Sequence, residues 1–567
     1  MYCRFLAAIT LASVVCFPAV AARPASGKYD LVIRNGHIID GTGSPWYGGD
    51  VGIRDGRIVA IGRLGDAGAK RSIDAQGKIV APGFIDMLGQ SELTILVAPS
   101  LPSKIYQGIT TEITGEGDSV APLDERIIKN NQAAYDHLGI KPTWRTLSDY
   151  FTRLEKQGIG INFGTYVGAA SVRRMVLGDD DVQPTPAQLE RMQALVEAAM
   201  RDGAMGLSSA LQYAPAPYAT THELIALARA ASRYGGIYAT HMRDEGNAEF
   251  NALDEAFRIG REAPIPVEIF HLKAAGKANW GTMPRIIDAI GRARAGGVDV
   301  SADTYAYTAW GNSLASIVPP WAHAGGDDKL LARLKDPTTR AQIKQYILDP
   351  GKDDEWNNEW KEAPGPDGVL VTSVGNPALR PLQGRRISDI AREWHQDPLD
   401  AALDILVKDN AATSVAVFGM DQADVTLVLK QPWVSVCNDS EGTEPTGILG
   451  QAHPHPRAYG TFPRIIHKYV EQEHVLTLPD AIRKFTALAA QRMGLTERGV
   501  IKPGMYADVV VFDPAKVRDT ATFEQPNQLA EGMDFVIVNG VPVIADGKMT
   551  HALPGKVLRG AGYAFAD

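Results

Sequence analysis

The chain has 567 residues, too long for one ordinary domain, and its 45% apolar and 22% charged content excludes a disordered or fibrous polymer. Lys+Arg of 57 against Asp+Glu of 66 leaves a formal charge of −9, and with no basic run this argues against a nucleic-acid partner. The 56 glycines and 35 prolines show no period, so many turns join many short elements.

Residues 1–22 read as a cleavable secretory signal, with Arg4, an apolar run over 5–20 and the small-residue site Ala19-Val20-Ala21. The competing reading, a membrane anchor, meets a short run broken by Pro18. No second apolar stretch is long enough to span a bilayer, so an exported protein, periplasmic or secreted and without stable membrane insertion after cleavage, is expected. Cys16 invites a lipoprotein reading, but Val15 before it is larger than lipidation normally tolerates. Cys3 and Cys16 leave with the signal, so Cys437 alone remains and no internal disulfide can form.

The mature chain opens on strands. Residues 29–40 (YDLVIRNGHIID) and 50–62 (DVGIRDGRIVAIG) alternate apolar and polar residues around Asn-Gly and Asp-Gly turns, and 72–80 follows with a Gln-Gly turn. The same style returns at 508–512 (DVVVF), 535–538 (FVIV) and 541–545. A β-sandwich of residues 23–80 and 500–567, built from both chain ends, is the economical reading.

Between them the period changes. Residues 109–114 (ITTEIT) and 161–167 (INFGTYV) look like buried strands. A helix is expected over 186–202, with Thr185 as N-cap, Pro186 at the first position and Gly203 as stop. A strand at 204–208 precedes a helix to Tyr234, started by a Thr220/Glu223 capping box. Strand 237–241, helix 248–261, strand 267–271, helix 284–295 and strand 298–305 follow. Counting from 83–86 to 434–437 gives about eight strands, the number of an α/β TIM-like (β/α)8 barrel over residues 81–499. Residues 311–400, rich in Trp, Asp, Lys and Pro, break the rhythm and read as an insertion able to cover the barrel mouth.

In such a barrel, chemistry sits at the C-terminal ends of strands. Strand 237–240 ends in His241, strand 267–270 in His271 and strand 434–437 in Asn438-Asp439. Two imidazoles and a carboxylate suit zinc, whose open position would hold a water of lowered pKa. Asp439 beside it could take that proton and pass it to a leaving amine. An isolated histidine after an apolar strand is usually structural; two on adjacent strands with a terminal Asp favour a site. Glu116, between Gly115 and Gly117, is a further carboxylate ligand or a solvated turn residue. Lys273, Arg457 and Arg243, with the hydroxyls of Tyr307 and Ser313, are the candidates for holding an anion, and Arg457 could grip a carboxylate bidentately. For any one of these cations the plain alternative is a surface salt bridge. His453 and His455 sit in a Pro-rich loop and read as packing.

The strings DLVIRNGHIIDGTG and IVAPGFID resemble the amidohydrolase superfamily. YATHMRDE, PVEIFHLKAAG, ADTYAYTA, HPRAYGTFPRII and GVIKPGMYADVVVFDP are similar to the N-acyl-D-amino-acid deacylases (D-aminoacylases). The resemblance runs from about residue 29 to 560, interrupted over 311–400. It implies a TIM-like barrel with a small β-sandwich, and zinc-dependent hydrolysis of the amide of an N-acyl-D-amino acid. It implies that His241 and His271 are zinc ligands and that Asp439 is the general acid/base, able to contact a second metal. Lys273, Tyr307, Ser313 and Arg457 match positions associated with substrate recognition.

Two departures stand out. The His-x-His that follows the PGFID strand in the family is absent; Leu88 and Gln90 fill its positions. The family's cysteine ligand is absent too, since the turn reads Thr114-Gly115-Glu116-Gly117-Asp118. The first loss argues for one zinc ion rather than two, and the second asks Glu116 to replace the thiolate. Manganese or iron would suit the same donors. The expectation is therefore an exported single-metal amidohydrolase in which metal-bound water attacks the amide of a small N-acyl amino acid. The alternatives are a dipeptidase or cyclic-amide hydrolase of the superfamily, or a non-catalytic binding protein on a decayed barrel. The acyl group, the stereochemical preference and the oligomeric state are not legible.

Overall fold

A computed structural model describes residues 29–65, 68–349 and 356–565. The signal-like segment 1–22, with Cys3 and Cys16, lies outside the described residues. Among the described residues no helix is long and apolar enough to cross a membrane, and Cys437 is buried with a free thiol.

Both chain ends meet in one nine-stranded sheet. Tyr29–Ile38 pairs antiparallel with Tyr47–Arg54 and parallel with Ala69–Asp74 and Ile79–Pro82. Ile79–Pro82 in turn pairs antiparallel with Val509–Phe512, which joins the N-terminal strands to the C-terminal meander. The alternation seen in the sequence buries Leu31, Ile33, Val51, Ile53, Val509 and Val511 in a small core of their own. The Asp-Gly turn at 55–56 works because Asp55 (φ +52°) and Gly56 (φ +72°) both take the left-handed region such a hairpin demands.

The barrel strands are parallel and almost wholly buried. Phe84–Asp86, Ile109–Thr114 and Asn162–Thr165 form one arc. Val167–Gly168, Gly206–Ala210, Ile237–His241, Val267–Ile269, Val300–Thr304 and Val434–Val436 form the other. The arcs join where Asn162–Thr165 runs on into Val167–Gly168, and where Gly89 bridges Ser440. Read in this way the barrel closes on eight staves. Helix Pro186–Asp202 carries the full reciprocal cap at Thr185 and Gln188, with Gly203 (φ +112°) ending it. Only half of the Thr220/Glu223 box forms. Thr220 accepts from the Glu223 amide, while the Glu223 carboxylate turns away to pair with buried Arg173 at 2.5 Å.

The insertion is larger than its composition suggested. Trp310–Ser313, Ser414–Val417 and Val369–Ser373 make a three-stranded antiparallel sheet, so the segment that leaves the barrel returns past residue 400. Composition marked the helices and loops of this segment but not Ser414–Val417, whose short apolar run resembles any buried strand.

Candidate metal centre and active site

Three strand ends place the donors. Glu116 follows Ile109–Thr114, between Gly115 (φ +95°) and Gly117 (φ +66°). A Cβ on Gly117 would lie 2.6 Å from the Ala210 amide nitrogen, so the turn is pressed onto the neighbouring stave and carries Glu116 inward. His241 closes Ile237–His241. His271 lies two residues past Val267–Ile269 in the left-handed region (φ +36°), its amide donating to Asp303 Oδ1 at 2.6 Å. Asp439, also left-handed (φ +50°), donates its amide to Leu88 O at 2.8 Å. These two left-handed non-glycine residues stand where the barrel turns its side chains toward the mouth.

Glu116 Oε1 lies 3.0 Å from both His241 Nδ1 and His271 Nε2. These three atoms form the one group of candidate metal donors within 4.8 Å of one another among the described residues. Behind them, Glu245 reaches His271 Nδ1 at 3.1 Å and His241 Nε2 at 3.6 Å. The nitrogens facing Glu116 are thus the ones left to a metal, while a carboxylate orients the rings from the far side. Lys273 Nζ donates to both Glu245 oxygens at 2.8 Å and lies 2.6 Å from His271 Nδ1. Burial and the Lys273 ammonium both press the His271 pKa down. The Glu245, Asp439 and Glu116 carboxylates overcome them and hold it at about 10. Against its burial, the two imidazoles keep Glu116 well below the usual carboxylate range. Two imidazoles ringed by anions make a place that demands positive charge, and a carboxylate with two neutral histidines is a hard-to-borderline donor set that fits zinc.

Asp439 stands beside this group, one amide away. Gln90 Nε2 donates to Glu116 Oε2 at 2.8 Å and to Asp439 Oδ1 at 3.2 Å. The other Asp439 oxygen meets Arg457 Nη1 at 2.7 Å. Burial raises the Asp439 pKa and Arg457 opposes it, leaving it above the ordinary value, the direction a general base near neutral pH needs. Its oxygens go to Gln90 and Arg457, so Asp439 stands beside the three clustered donors rather than among them.

These residues line a cavity of about 350 Å³ together with Tyr213, Ser313 and residues of the insertion. Asn357, Glu359, Glu362, Thr372 and Ser373 supply its outer wall. Glu359 accepts from Trp310 Nε1 at 3.3 Å, and burial pushes its carboxyl up to about 7. Arg457 is buried, its Nε finding no hydrogen-bond partner among the described residues, so the guanidinium has capacity left for a ligand.

Two expected anion holders are placed elsewhere. Arg243 pairs with Glu255 at 2.9 Å and donates to the carbonyls of Pro217 and Ala219, both at 3.0 Å, outside the cavity. Tyr307 donates to Pro456 O at 3.4 Å beneath the Arg464 guanidinium and is not a wall residue. Lys273 lines the cavity, but its ammonium is taken up by both oxygens of Glu245. Ser313 stands on the wall, its Oγ capping the turn that starts at Leu314. His455 Nε2 donates to Ala309 O at 3.0 Å, across from its own loop, and Nδ1 accepts the Arg457 amide at 3.0 Å. His453 holds Phe523 O at 2.6 Å. The sequence reading missed Glu245 and the bridging part of Gln90. An acidic residue four positions after a candidate ligand was a visible signal for Glu245; nothing local marked Gln90.

Comparison with known proteins places this geometry. The amidohydrolase family profile matches residues 447–544, and that of the urease alpha-subunit N-terminal domain matches 18–83. N-acyl-D-glutamate deacylase of Alcaligenes xylosoxydans xylosoxydans is 35% identical over 94% of this chain and 97% of its own length. D-aminoacylase of the same organism is 35% identical over 94% and 98%. A solved structure of N-acyl-D-glutamate deacylase from Bordetella bronchiseptica, complexed with zinc and a phosphonate inhibitor, superposes with a TM-score of 0.78 at 34% identity. That match covers 94% of this chain and all of that one. A D-aminoacylase structure, described by one-metal activation and second-metal attenuation of a binuclear centre, gives 0.77 at 34% identity over the same shares. An L-hydantoinase from Arthrobacter aurescens, 15% identical with a TM-score of 0.53, shares the fold. With near-complete coverage at this identity, and a strand-end metal-donor group at the mouth of a (β/α)8 barrel, the chain belongs to the N-acyl-D-amino-acid deacylase family of the amidohydrolase superfamily, metal-dependent hydrolases of C–N bonds other than peptide bonds.

Proposed function

We propose that this protein is an exported hydrolase that cleaves the amide of N-acyl-D-amino acids with a single zinc ion held by Glu116, His241 and His271. The observation that carries the reading is that this donor group and the Asp439–Arg457 pair open into one cavity. When bound, the ion would activate a water and polarise the scissile carbonyl. The chain's own residues do the rest. Asp439 takes a proton from the water on the Gln90 side and returns it to the leaving amine nitrogen. Arg457, still able to donate, holds the substrate carboxylate, with Ser313 on the same wall. Glu245, neutralised by Lys273, keeps both imidazoles turned to the centre. The insertion residues at Asn357–Glu362 shield the cavity from bulk water. Export rests on the character of residues 1–22 alone.

The experiment is a hydrolysis screen on purified protein of measured metal content, using N-acetyl-D-amino acids beside the L enantiomers, dipeptides and cyclic amides. Turnover of the D series with about one zinc per chain is expected. Turnover confined to dipeptides or cyclic amides, or a metal-free chain that only binds acyl amino acids, overturns the reading.

A further inference from the structure

Gln90 stands where a family histidine is missing, yet its side chain is engaged. Both of its partners are carboxylates of the site, Glu116 at 2.8 Å and Asp439 at 3.2 Å. A carboxylate can only accept when ionised, so the carboxamide must present its NH2 and spend one N–H on each. A carboxamide has two such hydrogens, so its NH2 is fully spent on this pair. The backbone around it is equally committed. Asp439 N donates to Leu88 O at 2.8 Å and Gln90 N to Ser440 O at 3.2 Å, so segments 88–90 and 438–440 are zipped together. Leu88, filling the other lost position, is wholly buried in the core and offers only that carbonyl. Asp439 has its remaining oxygen on Arg457 at 2.7 Å.

A cation set between two carboxylates does two things: it cancels their repulsion and fixes their separation. Here the same two tasks fall to a neutral donor and a guanidinium. We infer that the Gln90 carboxamide takes the place of a second metal ion, holding Glu116 and Asp439 in register so that the centre operates with one ion and excess zinc does not attenuate it. Gln90 is a positioning residue in this scheme, acting through Asp439 and Glu116. The inference rests on the hydrolase reading for its rate consequences and on the residues alone for its metal consequence.

The test reads zinc per chain by elemental analysis after gel filtration from excess zinc, alongside the rate at rising zinc. The wild-type chain is expected to retain one zinc and to show no loss of rate at excess zinc. Gln90→Glu, of the same shape, exchanges the NH2 for an oxygen and so gives the site a third carboxylate. It is expected to take up a second zinc and to become attenuated by it. Gln90→Met removes the donor without adding a ligand. It is expected to keep one zinc while kcat falls about 10-fold at unchanged KM, because Asp439 loses its alignment but the carboxylate grip stays. Two zinc ions on the wild-type chain, a Gln90→Glu chain still holding one, or a Gln90→Met chain with wild-type kcat overturns the inference. Metal content is read independently of turnover, so failure of the hydrolase reading does not decide this one.

Discussion

Arg457 Nη1 lies 2.7 Å from Asp439 Oδ2, with both side chains buried and the Tyr305 ring stacked on the guanidinium 4.7 Å from its carbon. In the proposed reaction the pair has two tasks: Arg457 holds the acid/base carboxylate and offers its spare donors to a substrate. Removing one partner leaves the other charge buried and uncompensated. Arg457→Met is expected to lower kcat/KM at least about 100-fold and to cost roughly 3 kcal/mol of stability. Steady-state kinetics and denaturant unfolding check it; wild-type kcat/KM would sink the assignment.

If Glu116 takes over from the family's cysteine ligand as proposed, its loss must show in metal retention. Glu116→Ala is expected to lose zinc on dialysis against a mild chelator, whereas Glu116→Cys keeps it, since thiolate is a good zinc ligand. Stripping the wild-type protein with a strong chelator should abolish turnover, and added zinc should restore it. A Glu116→Ala chain that holds zinc as tightly as the wild type contradicts the ligand set.

Glu245 backs both imidazoles from the side away from Glu116, at 3.1 and 3.6 Å. Outer carboxylates of this kind are worth about 10- to 100-fold in metal affinity or activity. Glu245→Gln should weaken zinc binding by that order, measurable by competition with a chromophoric chelator.

Arg243 and Tyr307 provide the negative control. Tyr307→Phe removes a weak bond to Pro456 O and is expected to leave kcat and KM within about two-fold. Arg243→Ala should lower the melting temperature through loss of Glu255 and two carbonyl contacts, with KM unchanged. A large rise in KM in either would return that residue to the substrate.

Lys484 sets a pH dependence away from the site. Its side chain is buried against the Gln431 and Val434 carbonyls, and burial lowers its pKa from 10.5 to about 8. Below pH 8 folded and unfolded chains both carry the charge, and the folded state bears its full burial cost. Above 10.5 both are neutral and the cost is gone. Between these values the unfolded chain binds more protons, so this group makes stability rise with pH, by roughly 3 kcal/mol in all. Chemical unfolding of wild type and Lys484→Met should show that increment in the wild type alone.

What could be read along the chain were the features set by near neighbours. The capped helix Pro186–Asp202, the alternating strands at both ends and the histidines closing two apolar strands depend on spacing within one element. Backbone geometry at that range is nearly decided by residue type, and so were the barrel, the flanking sheet and the identity of His241, His271, Glu116 and Asp439 as candidates. Direction was another matter. Arg243, two residues past His241, turns to Glu255, while Arg457, far along the chain, turns to Asp439. Which way a long side chain at a strand end points is settled by the charge it finds across the barrel, and that partner is known only once the staves close. Gln90 shows the same limit: in the sequence it is a missing histidine, and only the approach of Glu116 from 26 positions on and of Asp439 from 349 gives its amide something to hold.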